Sequence, residues 1–159
     1  IDRSLVGSEM CIRDSYFLPQ TILINALQNA ALRGVEVNVI LPSKSNQPLV
    51  HWATRNMLWE LLQCGVNIFY QPAPFNHTKL MLIDNHYAHI GSANLDSRSL
   101  RLNFELIVEI FDQDFVHTMS EHFHCIQERS TPVTLKEVDG RGLLTRIRDA
   151  TAWLFSPYL

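Results

Sequence analysis

Between Tyr16 and Tyr70 the chain alternates short β-branched, apolar runs with longer stretches whose apolar residues recur at helical spacing. That order constrains the fold more than any other feature, because periods of two and of 3.6 bury side chains in different ways. Tyr16-Phe17-Leu18 reads as a buried strand end stopped by Pro19. From Gln20 to Arg33, the residues Ile22, Leu23, Ala26, Leu27, Ala30 and Ala31 fall in steps of four on adjacent rows, and Gly34 is placed to cap the helix. The stretch from Val35 to Leu41 is a strand closed by Pro42. Pro48 opens a second helix with Val50, Ala53, Met57 and Leu61 on its core side, Gly65 ends it, and Val66 to Tyr70 returns as a strand. Strand, helix and strand in alternation predict an α/β layer: a mixed, largely parallel sheet flanked by helices.

Downstream, Gln71 to Phe75 is a stiff loop with two prolines, delivering the chain into a strand from His77 to Ile83. Asp84-Asn85 turns it, His86 to Ile90 pairs back, and Gly91 lets backbone approach a ligand closely. Leu95 to Leu102 is a short crossing, and Phe104 to Phe111 reads as a strongly apolar central strand with Glu105 and Glu109 standing out. Asp112 can cap a helix reaching Arg129, with Phe115, Met119, Phe123 and Ile126 at core spacing. Residues 130–138 read as a linker, and Gly142 to Phe155 as a final amphipathic helix.

The 159 residues are 47% hydrophobic and 18% charged, which supports one globular domain with a real core. A net charge of -3 gives no basic nucleic-acid surface, so no nucleic-acid partner is expected. Cys11, Cys64 and Cys125 form no C-x-x-C pair. His122 and His124, two apart on a helix, diverge and are not a metal pair. No apolar run reaches eighteen residues, so any bilayer contact is peripheral or comes from sequence outside this chain.

Residues 1–15 lack helical or strand periodicity and the pattern of a signal peptide. They look like translated sequencing-adapter read-through and are expected to be a non-native arm, with residues 16–159 forming the folded domain. A foreign arm makes the chain a fragment truncated at its start.

His77-Thr78-Lys79-Leu80-Met81-Leu82-Ile83-Asp84 carries the chemistry. On a strand His77 and Lys79 point the same way. A neutral imidazole nitrogen can attack phosphorus, and an ammonium beside it steadies phosphate oxygens that would otherwise repel a nucleophile.

The spacing His-x-Lys-x4-Asp resembles the signature of the phospholipase D superfamily. Gly91-Ser92-Ala93-Asn94 is similar to that family's Gly-Ser-x-Asn segment, and Glu105 falls where the family places a carboxylate against the imidazole. Ala31 to Val37, Leu49 to Ala53, Gly91 to Leu100, and Leu102 to Glu105 resemble the second catalytic half of bacterial cardiolipin synthases. Leu154-Phe155-Ser156-Pro157-Tyr158-Leu159 resembles the end of those enzymes, so an intact C-terminus is expected. Those enzymes carry two His-x-Lys motifs and N-terminal membrane segments; this chain has one motif and no such segment.

The resemblance implies one half of a two-half phosphatidyltransferase. It would join two phosphatidylglycerol molecules through a phosphohistidine and release glycerol. Its catalytic residues would be His77, Lys79, Asp84 and Glu105, with Lys79, Ser92 and Asn94 holding the phosphate, Glu105 orienting the imidazole and Asp84 fixing the motif. No cofactor or metal is implied, since lysines and amides supply the charge stabilisation. The implied partners are an anionic phospholipid, the missing N-terminal half or a second copy, and a membrane surface. The implied location is the bacterial inner membrane, through segments absent here. Two other readings stay open: a single-motif phosphodiesterase or nuclease acting as a homodimer, and a non-catalytic binding module.

Overall fold

Three parallel strands form the spine of the sheet: β1 (Glu9–Arg13), β2 (Glu36–Pro42) and β3 (Asn67–Gln71), with β2 in the middle. The computed structural model describes residues 7–159. On the other side of β1 run β4 (Leu80–Ile83), β5 (Tyr87–Gly91) and β6 (Ile107–Ile110), each antiparallel to its neighbour. The two-residue β7 (Thr131–Pro132) closes the far edge, giving the order β6-β5-β4-β1-β2-β3-β7. The expected mixed α/β sheet flanked by helices forms, but it is not largely parallel. β1-β2 and β2-β3 pair parallel, and the other four pairings are antiparallel, because β5 and β6 each turn back beside the strand before them rather than returning through a helical crossover.

Helices cover both faces. α1 (Thr21–Leu32), α2 (Pro48–Gln63) and α6 (Leu143–Trp153) lie on one, and α4 (Gln113–Gln127) on the other. Strand β2 shows why both are needed. Val37, Val39 and Leu41 pack with Leu27, Met57, Leu58 and Leu61, whereas Ile40 packs with Val116 and Phe123 of α4. Alternation across the pleat sends successive side chains into two separate cores.

Several local expectations change as well. Residues 9–13 are not outside the fold: they form β1, between β2 and β4, with Cys11 and Ile12 buried. A strand covered on both faces and paired on both edges needs no alternating pattern, which is why its sequence gave no strand signal. Residues 1–6 lie outside the described residues, and Tyr16 to Pro19 makes only an isolated bridge, Leu18 to Asp96.

The α1 face is rotated. Ile24 and Leu27 are buried, while Ile22 is 80% exposed, because apolar residues run nearly all round this helix and spacing alone does not pick the buried side. Strand β6, read as central, is an edge strand with Ile107 and Val108 exposed. An apolar run looks the same in sequence whether its cover belongs to this chain or to another. Finally, residues 130–138 are not a linker. They hold β7 and the start of α5 (Leu135–Asp139), which opens with a capping box between Thr134 and Glu137.

Candidate active site

Lys79 lies just before β4, at the end of β1 where Arg13 pairs with Leu80, and is 6% exposed. His77 and Lys79 therefore sit in the loop entering β4, not within the strand. The two side chains still meet: Lys79 Nζ is 3.1 Å from His77 Nδ1. The same ammonium donates to the His77 carbonyl at 3.0 Å and to Ser15 Oγ at 2.6 Å. Ser15 Oγ in turn donates to Asn94 Oδ1 at 2.8 Å, and Asn94 Nδ2 lies 3.4 Å from Ser99 Oγ. One buried polar chain thus joins Lys79 to Asn94 through a serine that bridges β1 to the loop after β5.

An ammonium can only donate, so Nδ1 accepts and the neutral ring carries its proton on Nε2. Partial burial pushes the His77 pKa below its ordinary value, and the neighbouring Lys79 charge pushes it the same way. The imidazole is therefore neutral at pH 7. Burial also lowers the Lys79 pKa, opposed by the charges of Asp14, Glu105 and Asp96. Asp14 is wholly buried and its pKa is pushed up to about 6, although it accepts hydrogen bonds from the backbone N–H groups of Leu95, Ser15 and Tyr16.

Glu105 lies close enough to Lys79 for each to shift the other, but it does not orient His77 here. Its carboxylate accepts from the Ser92 hydroxyl and from Asn103 Nδ2 at 3.1 Å, which together hold its pKa below the usual carboxylate value. Ser92 Oγ also accepts from the Leu106 N–H at 3.0 Å, so Ser92 and Glu105 clasp the end of β5 to the approach of β6. Gly91 serves that clasp: a Cβ there would overlap the Leu106 carbonyl oxygen, so the close approach it permits is to its own chain rather than to a ligand.

Asp84 stands apart from the others. It follows β4 at the opposite end, roughly 17 Å along the strand from Lys79. In a left-handed conformation (φ 50) it accepts from the Glu9 N–H at 2.7 Å, so its work is to fix the β1–β4 pairing. Sequence reasoning missed Asp14 and Ser15, because they lie in the segment set aside.

A cavity of about 260 Å³ opens beside Asn94 and Ser99, lined also by Tyr16, Gln47, Arg98 and Leu159. Asn94 is the link between this cavity and the Lys79 chain; Lys79 and His77 do not line it. Glu9, Cys11 and His124 place ligand atoms within 4.8 Å of one another, the one cluster among the described residues with metal-ligand geometry. It lies on β1 and α4, away from His77.

A family model described as "Cardiolipin synthase, PLD-like domain" matches residues 7–126. The chain belongs to this family. Among characterised members it is 40% identical over 148 residues to cardiolipin synthase 1 of Staphylococcus epidermidis, 37% over 150 residues to the cardiolipin synthase of Oceanobacillus iheyensis, and 38% over 151 residues to cardiolipin synthase A of Proteus mirabilis. Those matches take in 93%, 94% and 95% of the chain but only 30%, 31% and 31% of the respective relatives, so it spans about three tenths of their length.

The fold of this cardiolipin synthase-type domain recurs in solved structures. The phosphatidylserine synthase of Haemophilus influenzae aligns at a TM-score of 0.73 and 16% identity, over 98% of this chain and 42% of that one. The phospholipase D family member Nuc of Salmonella typhimurium aligns at 0.70 and 20% identity, over 82% of this chain and 85% of that one.

Proposed function

We propose that this domain is one catalytic half of a phosphatidyltransferase of the cardiolipin synthase type. It transfers a phosphatidyl group from one phosphatidylglycerol molecule to another through a phosphohistidine, with release of glycerol. The observation that carries the reading is the neutral His77 imidazole 3.1 Å from the Lys79 ammonium, on a rim shared with Asn94. In the first displacement an imidazole nitrogen forms a bond to phosphorus as the P–O bond to glycerol breaks, and a second imidazole protonates the departing alkoxide. In the second, the hydroxyl of another phosphatidylglycerol loses its proton to that imidazole and displaces the histidine. Lys79 and Asn94 stabilise the charge on the non-bridging oxygens in both.

His77 supplies one of the two imidazoles; the other comes from the missing half or from a second copy. The lone domain is also held back by its tautomer, because a proton on Nε2 leaves no lone pair on the open side of the ring. A partner group that accepts at Nδ1 would reverse this.

Two apolar faces of opposite charge support two different neighbours. Around β6, the exposed Phe104, Leu106, Val108 and Phe111 are interspersed with Glu105, Glu109 and Asp112, a face suited to another protein half. On α6 and at its end, Leu143, Leu144, Ile147 and Leu154 are exposed, the helix's one acid, Asp149, is buried and paired with Arg148, and the charge left on the helix is Arg146. That face suits the surface of an anionic membrane. Among the described residues no helix is long and apolar enough to cross a membrane.

A second reading, a phospholipase D-like phosphodiesterase or nuclease acting as a homodimer, draws on the near-complete coverage of Nuc, a chain of similar size. Phosphatidylglycerol micelles separate the two. The chain with its missing half should yield cardiolipin and glycerol, and the chain alone almost none. DNA cleavage by the chain alone would favour the second reading.

A further inference from the structure

On the same rim of the sheet, beyond the ends of β2 and β3, lies a cavity of about 280 Å³ that the proposed reaction does not use. Ser43, His51, Arg55, Tyr70 and Arg141 give it polar walls, on a floor that includes Leu58 and Val133. Ligands of open α/β sheets bind beyond the carboxyl ends of parallel strands, which is where Ser43 and Tyr70 stand.

The charge of the cavity is fixed from behind. Asp149 of α6 is fully buried and faces three guanidiniums, those of Arg55 at 3.6 Å, Arg148 at 2.6 Å, and Arg141. One carboxylate cannot balance three cations. Arg148 spends its excess against the Trp52 ring, 4.5 Å away, and does not line the cavity. Arg55 reaches Asp149 only through Nε, which leaves its terminal amino groups without a hydrogen bond among the described residues. The Tyr70 hydroxyl, the His51 ring nitrogens and Ser43 Oγ also have no hydrogen-bond partner among the described residues, and the His51 and Tyr70 rings are 6.2 Å apart. The one anion in the lining, Glu137, accepts from the Thr134 N–H and hydroxyl of its capping box and keeps its charge, so two carboxylates face three guanidiniums and one positive charge is left over. Burial pushes the Tyr70 pKa up to about 12, so its hydroxyl stays a donor, and burial together with Arg55 lowers that of His51.

We propose that this cavity is a second anion site, which takes a phosphate or phosphodiester headgroup on Arg55, Arg141 and Tyr70. Guanidiniums bind such groups with paired, charge-assisted hydrogen bonds. The site lies three strands from Lys79, roughly 14 Å at the usual interstrand spacing. That is too far for both phosphates of one glycerol-bridged product, so a separate molecule occupies it. The inference does not depend on the chemistry at His77.

Titration of the chain with inorganic phosphate, with glycerophosphoglycerol, and with vesicles of phosphatidylglycerol in phosphatidylcholine tests it, with Lys79→Met present to silence the reaction centre. Arg141→Gln should weaken the remaining binding about tenfold, the loss of one charge-assisted bond. Tyr70→Phe, which leaves the Asp149 ion pairs intact, should weaken it about threefold and serves if Arg141→Gln fails to fold. Dependence on these residues with vesicles or glycerophosphoglycerol identifies a lipid headgroup; dependence with inorganic phosphate alone identifies a soluble phosphate. Lys79→Met chain that binds none of the three probes, or binds them equally with and without Tyr70→Phe, overturns the proposal.

Discussion

Lys79 holds His77 through Nδ1, at 3.1 Å, and so fixes which nitrogen of the imidazole carries the proton. Nitrogen-15 NMR of the chain at pH 7.5 should show His77 as the Nε2–H tautomer. A predominant Nδ1–H ring would mean that the contact does not form.

The same pair sets a pH dependence. Burial and the Lys79 charge both lower the His77 pKa from 6.5, so the unfolded chain takes up this proton first as pH falls. His77's contribution to stability is therefore complete above pH 6.5 and is lost as pH drops through the lowered value. Lys79→Met should raise the His77 pKa without restoring it fully, because burial is the larger cause. An NMR titration that finds the two proteins identical would contradict this.

Gly91→Ala should lower the melting temperature and the turnover of the reconstituted enzyme together. Its Cβ would meet the Leu106 carbonyl oxygen and push the β6 approach away from β5, loosening the Ser92–Glu105 contact beside Lys79. Thermal melts and assays of the variant check it; an unchanged melt would place the β5–β6 junction wrongly.

Light scattering should find the chain self-associating through the β6 edge. Val108, 48% exposed with apolar neighbours, lies on an edge strand paired on one side only, which leaves backbone donors and acceptors open to another copy. Val108→Lys should shift the population toward monomer. Equal association by both proteins would put the contact elsewhere.

Much of this architecture was written in local patterns. The alternation from Glu36 to Gln71 appears as β2, α2 and β3, and the His77 and Lys79 side chains meet, with Asn94 reached through Ser15. What was hidden depends on partners far along the chain. β1 is defined by its two neighbours rather than by its own composition, so Asp14 and Ser15 could not be seen as site residues. The resemblance implies a Glu105 carboxylate against the imidazole, but local pattern does not reveal that Ser92 captures it, nor that Asp84 acts at the far end of β4. The Thr134–Glu137 capping box has a local signature, Thr-x-x-Glu, but the helix it opens is only five residues long, too short to show an apolar period.

Asp149→Asn should be among the most destabilising single changes. It leaves Arg55, Arg141 and Arg148 facing one another with no buried countercharge where α6 meets α2. Removing one member of a buried ion cluster costs about 3 kcal/mol, and the partial exposure of Arg55 and Arg148 places this case at that lower end. Urea denaturation measures it. A loss below about 1 kcal/mol would show that the arginines are already solvated.

The most direct test of the central claim is turnover of phosphatidylglycerol by the domain reconstituted with its missing half, comparing native His77 with His77→Ala. Cardiolipin and glycerol should appear in equal amounts with the native residue and fall by roughly a thousandfold or more in the variant. Cardiolipin formed at an undiminished rate by His77→Ala would contradict it.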